Sequence, residues 1–142
     1  MFHIKSQVTI LLSLLLLPAS GQDPPQQSCL KLDPHEFYIQ MKLSPNHVLI
    51  DVRTFYEFRR ERIPDAILAR NSEELFRIAD TLDLEQHLFF YCKEDFRSSK
   101  ACDLLHDKGF VYVYILKEGI TGWKKMNLET DKTKLKKSGR NR

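Results

Sequence analysis

The sequence lacks internal repeats, metal-ligand spacing of histidines and long apolar runs, each of which would indicate a class of protein directly. Its 142 residues include three cysteines and five glycines, and they show no internal repeat. The five histidines are scattered without the spacing of metal ligands, so we expect them to be solvated or to pack. The longest apolar run, about 10 residues at 8–17, is too short to cross a bilayer, which takes about 20. Repeat folds, histidine-bound metal sites and membrane-spanning helices are therefore not indicated.

A strong charge of one sign is also missing. The formal net charge is +3, and residues 131–142 alone carry six Lys or Arg and one Asp, which leaves 22–130 mildly acidic. A nucleic-acid-binding domain concentrates Lys and Arg on its folded surface, so we expect no nucleic-acid partner. We predict that 130–142 is a basic, disordered tail. A weak contact of this tail with anionic membrane surfaces is the alternative.

The beginning of the chain has the pattern of an export signal over residues 1–21. Lys5 precedes the apolar run at 8–17, and small residues before and at Gly21 offer a cleavage site. We therefore predict a periplasmic or secreted protein with no stable membrane insertion after cleavage. An uncleaved anchor and a buried core helix are the alternatives. A lipoprotein acylated at Cys29 is disfavoured because that residue lies too far beyond the apolar run.

The rest of the chain alternates short apolar runs with short helical patterns. We predict a flexible mature N-terminus over 22–29 and one folded domain over 30–129. The predicted strands are 30–32, 47–52, 66–69, 87–92 and 111–115, and the predicted helices are 34–43, 54–58, 72–79, 98–108 and 119–126. Continuous apolar strands alternating with helices predict an α/β fold, in which a mainly parallel sheet is covered by helices on both faces.

Cys92 lies between the end of a predicted strand and the start of a predicted helix. The first turn of a helix presents unpaired N–H groups and partial positive charge, and a short loop ahead of it adds more N–H groups. Such a cradle stabilises a thiolate or a persulfide, and Arg97 adds a fixed charge. The alternative is that Cys92 only fills a buried strand end, since free Cys is among the most buried residue types.

Four ordered places between residues 48 and 128 resemble the rhodanese-like family. They are Val48-Leu49-Ile50-Asp51-Val52-Arg53 with Tyr56-Glu57-Phe58 and Ile63-Pro64-Asp65-Ala66-Ile67, Phe90-Tyr91-Cys92 with Arg97-Ser98, Leu104-Leu105 with Gly109-Phe110, and Leu116-Lys117-Glu118-Gly119-Ile120-Thr121-Gly122-Trp123. The resemblance implies a rhodanese-like α/β domain with a mainly parallel five-stranded sheet.

The resemblance also implies a sulfurtransferase. Cys92 would take sulfane sulfur from thiosulfate, a persulfide or a polysulfide, and a thiophilic acceptor such as cyanide or a thiol would remove it. Arg97 would position the anionic donor, and Asp51 and Arg53 would brace the base of the loop. The anion cradle would be formed by Lys93, Glu94, Asp95, Phe96 and Ser98, the last of which would cap the helix. No metal or organic cofactor is implied; the partners are a small sulfur-containing anion, a thiol, or a protein that accepts sulfur.

The loop departs from the family pattern in ways that leave a second class open. Asp95 stands where the family often has Gly, which takes a positive φ without strain. Glu94 and Asp95 also place two carboxylates at the rim, where they should repel thiosulfate. A catalytically weak or inactive rhodanese-fold binding module is therefore the alternative function. The four residues between Cys92 and Arg97 are one fewer than in rhodanese-fold phosphatases, which favours sulfur over phosphate.

Three cysteines leave at least one thiol unpaired within a monomer. Cys102 is predicted to lie on the helix that follows the loop. It could be a buried structural thiol, a resolving thiol for Cys92, or the partner of Cys29 in an oxidising compartment. A bridge between Cys92 and Cys102 would need backbone movement. The sequence leaves the pairing open.

Overall fold

The computed structural model describes residues 29–135 of the chain. The predicted signal peptide, residues 22–28 of the predicted flexible N-terminus (22–29) and the residues from 136 onward lie outside the described residues. Within 29–135, no helix combines the length and the apolar character that crossing a membrane requires.

Five strands form one parallel sheet. They are β1 (Leu30–Leu32), β2 (Val48–Asp51), β3 (Ile67–Leu68), β4 (Leu88–Tyr91) and β5 (Val113–Leu116). Their spatial order is β1-β5-β4-β2-β3, and every pair is parallel. β2 and β4 are neighbours in register, with Asp51 opposite Tyr91. The carboxyl ends of these two strands therefore lie side by side, and Cys92 follows one of them.

Five helices connect the strands, and local capping accounts for where several of them begin. They are α1 (Pro34–Leu43), α2 (Phe55–Arg60), α3 (Ser72–Ala79), α4 (Phe96–His106) and α5 (Gly119–Lys125). Asp33 accepts hydrogen bonds from the first amides of α1, and Thr54 and Glu57 form a reciprocal capping box at α2. α4 begins two residues earlier than predicted, and β5 begins two residues later.

The sheet buries both of its faces under helices. Alternate strand residues, among them Ile50, Phe90 and Ile115, pack with α3 and α4 on one face. Their neighbours, among them Leu49 and Phe89, pack with α1 and α5 on the other. The prediction of an α/β fold with a five-stranded parallel sheet and helices on both faces is confirmed.

The start of the predicted disordered tail is ordered, contrary to the prediction. Asp131 forms an antiparallel bridge with Arg62: the Arg62 amide donates to Asp131 O (3.0 Å) and the Asp131 amide donates to Arg62 O (2.8 Å). The Arg62 guanidinium, which is buried, also binds the Asp131 carboxylate and the Thr133 hydroxyl. A buried guanidinium requires acceptors. The chain from Thr130 to Thr133 supplies them, so the ordered fold continues beyond residue 129.

A disulfide joins Cys29, at the start of β1, to Cys102 in α4, with Cα atoms 6.2 Å apart. Cys102 lies in the apolar core between the sheet and α4. Cys92 is the free cysteine. The bridge to Cys29 therefore decides among the alternatives that the sequence left open for Cys102.

The turn into α5 packs directly against the loop that follows β4. Gly119 has a φ of +54°, and a Cβ atom there would overlap the carbonyl oxygens of Glu94 and Cys92. Gly109 has a φ of +88°, but a Cβ atom there would meet only Leu84 Cδ1 at 3.7 Å. The two glycines share a left-handed backbone, and only Gly119 also needs the space.

We predict that Gly119→Ala disturbs the loop, whereas Gly109→Ala does not. Both variants lose about 1–2 kcal/mol of stability through the left-handed backbone. Gly119→Ala should lose more, because the loop backbone must also move. Urea unfolding measures the first effect, and the alkylation rate of Cys92 with a small reagent measures the second. Equal alkylation rates in the two variants would contradict the close packing of this turn on the loop.

Candidate active site

The loop from Cys92 to Arg97 connects β4 to the first turn of α4, and α5 sets its orientation. The Ile120 amide donates to the carbonyl oxygen of Cys92 (2.9 Å). The Thr121 amide and hydroxyl both donate to the carbonyl oxygen of Lys93 (3.2 and 2.9 Å). In a trans peptide unit the C=O and the following N–H point in opposite directions. The amides of Lys93 and Glu94 therefore point away from α5.

The amides of this loop have no acceptor in the part of the chain that the structure describes. Within residues 29–135, none of the backbone N–H groups of residues 93–98 donates a hydrogen bond to a protein atom. Three of them belong to the loop and three to the first turn of α4, where N–H groups lack intrahelical partners. Successive free amides are the groups from which anion-binding nests are built, and we refer to this run of amides at residues 93–98 as the nest. The nest lies directly after Cys92.

Cys92 is one of the buried residues of the core, but it lies outside the two apolar clusters. Its relative exposure is 2%, yet it belongs to neither of the two core clusters, whereas Cys102 lies in one of them. The low exposure of Cys92 means that only a small reactant can reach the thiol without movement of the loop.

Arg97 is held by Glu57 from α2. The guanidinium donates two hydrogen bonds to the Glu57 carboxylate, each 2.9 Å long. These bonds are the main reason that the pKa of Glu57 falls to about 2, and that the pKa of Arg97 is raised. Because the Glu57 pKa is depressed, the stability that the pair contributes is present above the usual value near 4.5 and is lost as the pH falls towards 2.

Asp51 and Arg53 form a buried ion pair at the base of the loop. Arg53 Nη2 donates to Asp51 (2.7 Å) and to the carbonyl oxygen of Glu61 (2.7 Å), and Arg53 Nε also donates to Asp51. Asp51 pairs in the sheet with Tyr91, the residue before Cys92. Burial raises the pKa of Tyr91, whose ring lies under the Arg53 guanidinium. The pair thus connects the end of β2 to the turn that contains Glu61.

The remaining loop residues differ from expectation in three respects. Asp95 has a φ of −150°, so it does not occupy the left-handed region in which Gly would be required. Its carboxylate is paired with Lys31 of β1 at 3.1 Å, which offsets one of the two acidic charges at the rim. Ser98 does not cap α4, because the helix begins at Phe96 and places Ser98 inside the first turn.

Four of the loop side chains have environments that bear on binding. The Ser98 hydroxyl is fully buried and has no hydrogen-bond partner among the described residues. Phe96 is exposed, with the Lys100 ammonium 4.5 Å from its ring centroid. Lys93 and Glu94 are exposed, and Lys93 also lines the cleft described next.

A cleft of about 570 Å³ opens beside the loop. Five cationic and two acidic side chains line it, together with Tyr56, Ile120 and Thr121. The charged residues are Arg53, Arg60, Lys93, Lys124, Lys132, Glu57 and Glu61. Hydrogen bonds from Lys124 are the main reason that the pKa of Glu61 falls to about 2. Across residues 29–135, no group of three or more His, Cys, Asp or Glu side chains could hold a metal ion.

Several residues of this site were not predicted as site residues from the sequence. Glu57 was recognised only as part of a motif, and the Thr54-x-x-Glu57 capping pattern predicts its place on a helix but not its contact with Arg97, 40 residues later. Ile120 and Thr121 hold the loop through backbone amides, which carry no sequence signal. Lys132 was assigned to a solvated tail.

Comparison with known proteins gives both sequence relatives and solved structures. A sulfurtransferase of Allochromatium vinosum is 30% identical over 81 residues, which are 57% of this chain and 75% of that protein. A tRNA uridine(34) hydroxylase of Buchnera aphidicola is 33% identical over 91 residues, which are 60% of this chain but only 29% of the hydroxylase. The solution structure of a rhodanese-like domain from an Anabaena protein has a TM-score of 0.65 at 23% identity, covering 79% of this chain and 87% of that one.

The family model of the rhodanese-like domain matches residues 33–126, about two thirds of the chain. The match includes the loop after β4, both residues of the buried pair at its base and the turn into α5 that orients it. The chain belongs to the rhodanese-like domain family.

Proposed function

We propose that this chain is a sulfurtransferase that carries sulfane sulfur on Cys92. The observation that carries the proposal is the run of unpaired amides at residues 93–98, immediately after the free cysteine. Such a nest stabilises a thiolate, a persulfide or an anionic donor. Family membership and the relative named as a sulfurtransferase support the same class of reaction.

The proposed reaction has two steps that balance without a further reactant. The Cys92 thiolate attacks the outer sulfur of thiosulfate, a bond from Cys92 Sγ to that sulfur forms, the sulfur–sulfur bond of thiosulfate breaks, and sulfite leaves. Cyanide or a thiolate then attacks the outer sulfur of the persulfide, and Cys92 leaves as a thiolate. A persulfide or a polysulfide serves as donor in the same way, with a thiolate or a shorter polysulfide as the leaving group.

The second candidate is a binding module that keeps the fold without turnover. Two observations favour it: the Cys92 side chain is almost completely buried, and the Arg97 guanidinium is already held by Glu57. A module of this kind would bind an anion at the nest and transfer nothing. Its distinguishing property is the absence of a Cys92 persulfide after exposure to any sulfur donor.

We expect the mature protein to release thiocyanate from thiosulfate or polysulfide in the presence of cyanide. Intact mass should show the gain of one sulfur atom before cyanide is added. Cys92→Ser should abolish both, because the remaining cysteines are bridged to each other. If the protein gains no sulfur with either donor, the binding module is the correct alternative.

We expect Glu57→Gln to lower the KM for thiosulfate by about threefold to tenfold. Removing one negative charge beside the nest frees Arg97 and strengthens the attraction of a dianion by about 1 kcal/mol. Glu73→Gln is the matched control, since it removes the same charge from an exposed position on α3. Steady-state kinetics at low ionic strength measure both variants. An unchanged or higher KM in Glu57→Gln would exclude Arg97 as the group that attracts the donor.

We also propose that the protein is exported to an oxidising compartment. The export-signal pattern at 1–21 and the Cys29–Cys102 bridge both support this, because disulfides persist mainly outside the cytoplasm. N-terminal sequencing of the mature protein should begin at Gln22. A mature chain that still begins at Met1 would contradict export by this signal.

A further inference from the structure

The cleft beside the loop is larger and more basic than a thiosulfate donor requires. Its volume of about 570 Å³ is within the range of sites for small organic ligands. Its acidic side chains are already occupied: Glu57 binds Arg97, and Glu61 binds Lys124 and Lys132. The field that an incoming ligand meets in the cleft is therefore positive.

One donor in the cleft is built into the fold and has no partner. The Arg53 side chain is 95% buried, with its Nε and Nη2 atoms committed to Asp51 and Glu61. Its Nη1 atom donates to no acceptor within residues 29–135, and it is not among the fully buried polar atoms. Arg53 lines the cleft, so an unpaired and partly accessible guanidinium donor belongs to its lining.

The segment from Thr130 to Lys132 contributes Lys132 to the lining of the cleft and is anchored by contacts to Glu61 and Arg62. The Thr130 hydroxyl donates to Glu61 (2.8 Å), and Asp131 is fixed to Arg62. These contacts hold Lys132 beside Glu61 (3.4 Å), and Lys124 of α5 is paired with the same carboxylate (2.6 Å). Two ammonium groups are thereby held at the cleft by one fixed anion.

The cleft also adjoins the loop that carries the thiol. Lys93 lines it, and so does Thr121, whose amide and hydroxyl bind the carbonyl oxygen of Lys93. Cys92 itself does not line it. A ligand that fills the cleft is therefore held next to the loop by its charged groups.

We propose that this cleft binds the carboxylates of a small acidic thiol, and that such a thiol, carrying two or more carboxylates, exchanges sulfur with Cys92. Planar guanidinium and paired ammonium groups suit carboxylates. The transfer step rests on the proposed function, whereas the binding of carboxylates in the cleft does not. In that step the acceptor thiolate attacks the outer sulfur of the Cys92 persulfide, the bond to Cys92 Sγ breaks, and the thiol leaves as its own persulfide.

The transfer experiment compares two acceptors with the full-length mature protein. Cys92 is loaded with polysulfide, desalted, and mixed with mercaptosuccinate, which has two carboxylates, or with thioglycerol, which has none. Intact mass follows the loss of sulfur with time. In Lys132→Gln and in Lys124→Gln we expect the ratio of the mercaptosuccinate rate to the thioglycerol rate to fall about three- to fivefold. The ratio compares the two acceptors within one variant. The intrinsic reactivity of the two thiols cancels when this ratio is compared between variants.

Lys134→Gln is the matched control. It removes the same charge two residues away, at an exposed position that does not line the cleft. Its ratio should equal that of the wild type. Equal ratios in Lys132→Gln, Lys134→Gln and the wild type would overturn the inference, even if Cys92 accepts sulfur normally.

A binding measurement separates the cleft from the chemistry. (Methylthio)succinate keeps both carboxylates but has no thiol, and the Cys92→Ser variant cannot carry sulfur. Calorimetry at low salt should show binding that weakens in Lys132→Gln, persists in Lys134→Gln, and falls as salt is added. This result supports the acidic-ligand site even if no persulfide forms, in which case only the transfer step fails. An absence of binding to Cys92→Ser overturns the site.

Discussion

The hydrogen bonds from the start of α5 to the carbonyl oxygens of Cys92 and Lys93 determine what the loop after β4 can do. Each fixes one peptide plane, and a fixed carbonyl on one side leaves a fixed N–H on the other. The amides of Lys93 and Glu94 thus join a row of donors that have no acceptor among residues 29–135. Gly119 is part of the same constraint, since any side chain there would push the loop away from α5.

The charged side chains around this loop are paired with opposite charges and do not leave an excess of one sign. Asp51 neutralises Arg53, Glu57 neutralises Arg97, and Lys31 neutralises Asp95. An anion at the nest therefore meets backbone dipoles first and formal charges second. The cationic excess lies beside the loop, in the cleft, where it acts on whatever part of a ligand extends beyond the sulfur.

The sheet order explains why distant segments meet here. β2 and β4 are central neighbours, so the Asp51–Arg53 pair and Cys92 emerge at the same edge. β1 reaches the site from the opposite side of the sheet through Lys31, and its beginning is bridged to α4 by Cys29 and Cys102. The segment at 130–133 closes the cleft through the bridge to Arg62.

The sequence by itself determined the elements whose signals are local. Apolar runs predicted the five strands, Asp33 and Thr54 predicted two helix starts, and Cys92 was correctly placed between a strand and a helix. Only the tertiary structure decided the contacts between residues far apart in the chain: the partner of Arg97, the pairing of Cys102 and the fold-back of Asp131. The physical reason is that a helix cap or an apolar period depends on neighbours a few residues away. The partner of a charge or a thiol depends instead on which surfaces the sheet brings together.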